Sequence, residues 1–209
     1  MDSEVKKKGA LREKILETAR DLFNRRGYNE VSMRNISDEL GISVGNLTYH
    51  FKKKEDLVEA VVLEWHKRYQ KPRPPKTLEG LNECFRRVLG HQEDNVYYAK
   101  HYRQLSQVSE RIHQIQNKVL CDLYDIIKEA FSNLRENQMM TAEQITAQIE
   151  YLLQTILSLC AYGCVTRETD VLACIWSQIF PLLTEDGQAV FHSKIAPILR
   201  SRQNTADAP

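Results

Sequence analysis

The sequence predicts an all-α protein, with a small three-helix domain at the N-terminus and a larger helical bundle after it. Glycine and proline are scarce, at 8 and 6 of 209 residues, and strong helix formers dominate the chain. Apolar residues recur at helical spacing through most of the sequence, and no stretch has the alternation of a strand hairpin. The length is sufficient for a small domain joined to a larger one.

The composition is that of an ordinary soluble globular protein, with 42% hydrophobic and 27% charged residues. The net charge of +1 gives the chain no bulk basic character, so a nucleic-acid function has to depend on local charge. The charged N-terminus is unlike a secretory signal. The apolar stretch 151–165 is interrupted by polar residues and is shorter than the roughly 20 residues of a membrane span. A cytoplasmic location is therefore expected.

The first helix is expected from Ala10 to Arg26, followed by Gly27 as the residue that ends it. Its apolar residues fall on one face at helical spacing: Leu11, Ile15, Ala19, Leu22 and Phe23. This face is the expected packing surface for the elements that follow.

Two short helices are expected next, separated by a turn at Gly41. Ser32 is a good N-cap for the first of them and Ser43 for the second, which contains residues 44–50. Helices this short are not stable alone, so they must pack on a third element. The apolar series that supplies this packing is Ile36, Leu40, Ile42, Leu47 and Phe51.

A longer helix is expected over residues 54–71, ending before the stiff stretch Lys71–Pro75. The remaining chain is expected to be helical over about 77–91, 95–113, 115–135, 141–165, 168–183 and 187–200. Residues 201–209 are polar and expected to be frayed.

A short helix, a glycine-containing turn and a second short helix, supported by a preceding helix, are the layout of a helix-turn-helix. The second short helix carries residues suited to a DNA groove. Asn46 can hydrogen-bond base edges, and Thr48 offers a hydroxyl and a methyl group. Arg34 and Lys54 are expected beside phosphates, although Arg34 could instead only pair with Asp38.

The segment from Leu11 to Val62 resembles the DNA-binding domain of TetR-family regulators. The matching motifs are Gly27-Tyr28, then Ser32-Met33-Arg34-Asn35-Ile36-Ser37, then Gly41-Ile42-Ser43-Val44-Gly45-Asn46-Leu47-Thr48-Tyr49-His50-Phe51, and finally Lys54-Glu55-Asp56-Leu57. Two positions depart from the family pattern. Ser37 stands where alanine is usual and is small enough to keep the packing, while Thr48 stands where tyrosine is usual and leaves the operator sequence open.

The resemblance implies a DNA-binding transcriptional regulator, most simply a ligand-responsive repressor that acts as a homodimer on a near-palindromic operator. It implies a DNA-binding domain over 1–55, with helix 54–71 as connector, and an effector-binding and dimerisation domain over 56–209. The DNA-binding residues it implies are Ser32, Arg34, Ser43, Val44, Gly45, Asn46, Thr48, Tyr49, His50 and Lys54. The alternatives are an activator, a ligand-independent DNA organiser and, in another class, a helical protein–protein adaptor.

The dimer interface is expected on two late helices that are apolar on more than one face. The candidate residues are Ile149, Leu152, Leu153, Ile156, Leu172, Trp176 and Ile179. The alternative is that both helices belong to the core of a single chain.

The effector pocket is expected near Tyr98, His101 and Tyr102, which bring rings and polar tips together, although such residues are often plain core. The chain has five cysteines, at positions 84, 121, 160, 164 and 174, without CxxC spacing, and they are expected to be reduced. Cys160, Cys164 and Cys174 could form a thiol sensor, but buried apolar cysteines are more common. No metal or cofactor is predicted, and the usual catalytic motifs are absent from the sequence, so an enzyme is not expected.

Overall fold

The computed structural model describes residues 2–67, 69–93, 95–141, 146–162 and 170–206. Within these ranges every regular element is a helix, and the only β-pairing is an isolated antiparallel bridge between Met140 and Leu183. The predicted all-α class is therefore confirmed.

The helices follow one another along the whole chain. They are α1 Asp2–Arg26, α2 Met33–Leu40, α3 Val44–His50, α4 Lys54–His66, α5 Leu78–Glu93, α6 Val96–Lys100, α7 Tyr102–Val108, α8 Glu110–Glu136, α9 Thr146–Tyr162, α10 Val171–Ile179, α11 Glu185–Val190 and α12 Ala196–Ala206. A 3₁₀ turn, Phe180–Leu182, follows α10, and a π-helical turn, Phe191–Ile195, joins α11 to α12.

The chain forms two compact units. The N-terminal unit contains residues 1–70 together with 95–117, and the C-terminal unit contains residues 71–94 together with 118–209. The functional division into a domain of 1–55 and a domain of 56–209 stays a prediction.

The core of the N-terminal unit is built on the predicted apolar face of α1. Helices α2, α3 and α4 pack on this face, and residues 97–112 return to it later in the chain. The fully buried members are Ile15, Ala19, Leu22, Phe23, Val31, Ile36, Leu47, Leu57, Val58, Val62, Tyr97, Leu105 and Ile112. Two helices too short to be stable alone thus gain their stability from tertiary packing.

The C-terminal unit has its own apolar core, formed from α5, α8, α9, α10 and the helical turns after them. Trp176 is buried in it, and its indole Nε1 donates a hydrogen bond of 2.8 Å to the side-chain oxygen of Asn82. This bond satisfies two polar groups that would otherwise be costly to bury.

Several helix boundaries differ from those predicted. The expected helix over 95–113 is broken twice, because His101 leaves helical geometry at φ −110° and ψ 19°, and Ser109 is extended. The connector helix ends at His66 instead of residue 71, and α1 begins at Asp2 instead of Ala10. Residues 142–145 and 163–169 of two other expected helices lie outside the described residues.

Among the described residues, no helix combines the length and the apolar character that crossing a membrane requires.

Candidate nucleic-acid interface

Helix α2 begins with the N-cap that its sequence predicts. The Ser32 hydroxyl accepts a hydrogen bond of 3.2 Å from the backbone N–H of Asn35, and the Asn35 side chain accepts one of 2.9 Å from the backbone N–H of Ser32. This reciprocal capping box satisfies two backbone donors that the helix leaves open. It fixes the start of α2, where the side chain of Arg34 is 83% exposed.

The turn between α2 and α3 depends on Gly41, whose φ of 65° lies in the left-handed region that only glycine adopts at low cost. Its N–H donates to the carbonyl of Asp38, and the N–H of Ile42 donates to the carbonyl of Ser37. Ser37 is fully buried, and its hydroxyl donates to the carbonyl of Arg34 at 2.9 Å. The serine that replaces the family's alanine is therefore satisfied within its own helix.

Helix α3 is held by one buried residue and presents the others. Leu47 is fully buried, whereas Val44 is 42% and Tyr49 is 68% exposed. Gly45 and Asn46 are also exposed, and the Ser43 hydroxyl caps the helix by accepting from the backbone N–H of Asn46 at 3.1 Å. A helix that packs on the core through one face and exposes polar and aromatic side chains on the other is suited to enter a DNA groove.

Two of the predicted DNA-contacting residues in α3 are only half exposed. Thr48 donates its hydroxyl hydrogen to the carbonyl of Gly45 at 3.1 Å. The His50 ring packs edge-on against Tyr49, with 5.5 Å between ring centroids. Tyr49 is thus more exposed than either of them.

The side chain of Lys54 contacts another residue of the N-terminal unit, Tyr28. Its ammonium donates to the carbonyl of Tyr28 at 3.0 Å and lies 4.4 Å from the centroid of the Tyr28 ring. The ammonium has three donors, so this contact leaves two for a phosphate. The preceding Lys52 and Lys53 are exposed, and the sequence analysis did not name them as candidates.

The exposed charged side chains around α2 form ion pairs of very different strength. Arg34 lies 4.0 Å from Asp38, and both side chains are exposed, so this pair is weak. Arg25 of α1 instead binds Glu39 at 2.7 Å and joins α1 to α2. The hydrogen bond from Arg25 lowers the pKa of Glu39. Arg34 therefore keeps its charge available at the surface.

The predicted pocket residues separate into two groups. Tyr98 is buried against Trp65, with 5.2 Å between centroids, and lies 5.6 Å from the half-buried Tyr102. Burial raises the pKa of Tyr98, so its hydroxyl stays protonated. His101 instead contacts the Tyr28 ring and donates from Nδ1 to Gln104 at 3.1 Å.

Gln116 joins the Tyr98–Tyr102 group and was missed from the sequence, where a glutamine in a helix gives no signal. Its side-chain nitrogen donates to the carbonyl of Tyr102 at 3.0 Å. Its side-chain oxygen is buried, and a hydrogen bond with Gln116 opposes the rise in the pKa of Tyr98. Gln116 therefore joins Tyr98 and Tyr102 through its amide group.

The residues predicted for a dimer interface lie in the core of the C-terminal unit. Leu152 is nearly buried, and the fully buried ones are Leu153, Ile156, Leu172, Trp176 and Ile179. The side chain of Ile149 lies outside the described residues. On the same helix Tyr151 is 76% exposed, so among the described side chains of α9 an accessible one is not among the predicted residues.

The cysteines differ in their surroundings. Cys84 is buried, which raises the pKa of its thiol, and Cys121 is exposed. Cys174 is half-buried, while the side chains of Cys160 and Cys164 fall outside the described residues. In the part of the chain that the structure describes, no three His, Cys, Asp or Glu residues come together as a metal site.

Residues 15–61 match the family model described as bacterial regulatory proteins, tetR family. The match spans the C-terminal half of α1 and all of α2 and α3, and it ends within α4.

One curated relative aligns with most of the chain, and others align with a short segment at higher identity. A probable HTH-type transcriptional regulator of Bacillus subtilis, YttP, is 26% identical over 158 residues, which cover 70% of this chain and 76% of that protein. The transcriptional regulator UidR of Escherichia coli K12 is 40% identical over 53 residues, 25% of this chain and 27% of that protein. The repressor KstR2 of Mycolicibacterium smegmatis is 40% identical over 57 residues, 26% of this chain and 28% of that protein. The last two alignments thus span only about a quarter of those relatives.

Solved structures extend the likeness to both units. A TetR-family transcriptional regulator from Marinobacter aquaeolei VT8 superposes with a TM-score of 0.74 at 20% identity, covering 92% of this chain and 98% of that one. SmeT, the repressor of a Stenotrophomonas maltophilia multidrug efflux pump, gives a TM-score of 0.51 at 18% identity over 83% of this chain and 91% of its own. These likenesses concern the fold.

Proposed function

We propose that this chain is a TetR-family DNA-binding transcriptional regulator and not an enzyme, and that it acts in the cytoplasm as a ligand-responsive repressor, binding a near-palindromic operator as a homodimer. The observation that carries the proposal is the outer face of α3, where Val44, Asn46 and Tyr49 are exposed above the buried anchor Leu47. The residues proposed to contact DNA are those that the family motif implies.

These residues divide into two roles. Asn46 reads a base edge, because an amide can donate and accept in the pattern that adenine presents. Arg34 contacts phosphate, because it is exposed, charged and outside α3. Lys54 is anchored on Tyr28 and contacts phosphate with its remaining donors, with Lys52 and Lys53 adding further positive charge. Phosphate contacts set the position of the protein and base contacts set the sequence.

A homodimer places two copies of α3 about 34–36 Å apart, which matches successive major grooves of B-DNA. We place the interface on the accessible face of α9, around Tyr151, because an exposed aromatic residue on an apolar helix is a candidate interface anchor. The core residues beneath it hold that face in place.

The effector response is assigned to the Tyr98–Tyr102–Gln116 group. Aromatic side chains beside a buried amide are the mixture that small-molecule sites use. Tyr98 packs on Trp65 near the end of α4, and α4 begins four residues after α3. A ligand that separates these rings would shift α4 and thereby the spacing of the two α3 helices, which lowers operator affinity. The name of the relative KstR2 and the description of SmeT as repressors support this direction of regulation.

The test is a titration of the purified protein against DNA from its own promoter region, with random DNA as competitor and the salt concentration varied. We expect specific binding by a dimer, weakening steeply as salt rises because several phosphates are contacted. Transcript levels after deletion of the gene then give the direction of regulation, with a rise expected for a repressor. Binding that is no tighter than to random DNA and insensitive to salt would contradict the proposal and favour the adaptor.

A further inference from the structure

Thr48 has already used its only hydrogen-bond donor. Its hydroxyl donates to the carbonyl of Gly45, three residues earlier in α3, at 3.1 Å. A threonine hydroxyl has one hydrogen and two acceptor lone pairs. With the hydrogen engaged, Thr48 has a methyl group and an acceptor left for a partner.

Gly45 adds a second observation on the same face, since residues i and i+3 are neighbours on a helix. Its φ is not positive, and a Cβ at this position would meet only the Ser43 hydroxyl, at 3.9 Å. A glycine inside a helix costs about 0.5–1 kcal/mol relative to alanine, and no contact within the described chain requires one here. Gly45 and Thr48 together form a shallow notch, with bare backbone beside a small side chain.

The free groups of Thr48 fit some base pairs and not others. While its hydrogen stays on the carbonyl of Gly45, the hydroxyl does not donate to guanine O6 or N7 or to thymine O4. Its lone pair can accept from the amino group of adenine or cytosine, and its methyl can contact the thymine methyl. An A·T pair offers both the amino group and the methyl on its major-groove edge, whereas a G·C pair offers only the amino group.

We propose that Thr48 selects an A·T pair in each half of the operator through contact between its methyl group and the thymine 5-methyl, with Gly45 giving the base edge room to approach. The proposal rests on the proposed entry of α3 into the major groove. A family tyrosine at position 48 would fill the notch, so the selection belongs to this chain.

The experiment removes one methyl group at a time. Each thymine of the operator is replaced by deoxyuridine, which lacks only the 5-methyl, and binding is measured for the full-length protein and for Thr48→Ser and Thr48→Val. For the unmodified protein we expect about a fourfold loss at one thymine per half-site, the value for burying one methyl group at roughly 0.8 kcal/mol. Thr48→Ser should lose this sensitivity, because it keeps the hydroxyl and lacks the methyl. Thr48→Val should retain it.

Thr18→Ser is the matched control, because it makes the same change in α1, outside the recognition helix, and should keep the sensitivity to deoxyuridine. If Thr48→Ser and the unmodified protein respond alike at every thymine, the proposal is wrong. Retention of the sensitivity by Thr48→Ser together with its loss in Thr48→Val would assign the contact to the hydroxyl and also overturn it. Failure of the proposed function is distinguishable, because the unmodified protein would then bind no operator specifically.

Discussion

At the scale of single residues, the exposed side chains of α2 and α3 have different surroundings, and these should give different mutational signatures. Arg34 is a nearly free charge, while Asn46 is a polar amide on the face proposed to read bases. Charge acts on every DNA sequence, whereas an amide acts on the base that it contacts.

We expect Arg34→Ala to weaken specific and random DNA alike and to reduce the slope of log affinity against log salt by about 1. Asn46→Ala should instead lower operator affinity by about 1–3 kcal/mol and leave random DNA nearly unchanged. Competition titrations at several salt concentrations measure both effects. Equal losses on both kinds of DNA for both variants would contradict the division of roles.

The two neighbouring lysines provide a second residue-level comparison. Lys54→Ala removes a hydrogen bond and a cation–π contact to Tyr28, so it should lower the free energy of unfolding by about 1–2 kcal/mol as well as DNA affinity. Lys53→Ala should lower only DNA affinity, because its side chain is exposed. Thermal or denaturant unfolding measures the effect of each variant on stability, and DNA titration measures its effect on affinity. If the Lys54→Ala protein is as stable as the unmodified one, the contact of Lys54 with Tyr28 contributes nothing to the free energy of unfolding.

At the scale of elements, the helix-turn-helix could be predicted because its signals are local. Ser32, Gly41 and Ser43 each act on backbone groups within a few residues, and the structure confirms them as caps and turn. The break at Ser109 was missed although part of its cause is local, because the Ser109 hydroxyl accepts from the backbone N–H groups of Arg111 and Ile112 as an N-cap does. The other part is distant in sequence. Ser109 donates to Glu59 of α4 at 2.5 Å, a contact across fifty residues that no local pattern records.

The turn before α3 contains Gly41 and α3 itself contains Gly45, and replacing each with alanine should change the stability of the protein in opposite directions. Gly41→Ala should destabilise the protein by about 1–2 kcal/mol, because the left-handed conformation is strained for any residue with a Cβ. Gly45→Ala should leave stability unchanged or raise it by up to about 1 kcal/mol, yet weaken operator binding. Melting curves and operator titrations of both variants are the measurement. A Gly45→Ala protein that melts well below the unmodified one would refute the assignment of this glycine to DNA.

The start of α8 offers a third prediction at this scale. The Ser109 hydroxyl accepts from the backbone N–H of Arg111 at 3.1 Å and donates to Glu59, so it caps α8 and joins it to α4. Ser109→Ala should cost about 0.5–2 kcal/mol of stability, the range for loss of an N-cap. Chemical denaturation measures the change, and Ser109→Asn, which can still cap, should recover part of it. No loss for alanine would mean that the cap is dispensable.

At the scale of the whole molecule, the sequence located the two late apolar helices but not the surface that they leave accessible. Leu153 and Ile156 satisfy the apolar pattern because they fill the chain's own core. A hydrophobic pattern records burial without recording whether a neighbouring helix or a second copy provides it. Tyr151, the exposed aromatic residue, became visible only from the packing.

Tyr151→Asp should convert the proposed dimer to a monomer, because a charge would be buried in the interface without a partner. Operator affinity should fall with it, since one copy of α3 reads only half of the site. Sedimentation or light scattering gives the oligomeric state, and Lys76→Glu, an exposed change in the same unit, serves as the control. A variant that remains dimeric would place the interface elsewhere.

The N-terminal unit draws its core from two separate stretches of chain, 1–70 and 95–117. During synthesis, Tyr97, Leu105 and Ile112 leave the ribosome well after the helix-turn-helix has emerged. At translation rates of about 5–20 residues per second, the nascent head must wait several seconds for the residues that complete its core. A fragment cut after residue 70 would leave the surface that residues 95–117 cover exposed to solvent, so we expect it to be less stable than the complete N-terminal unit.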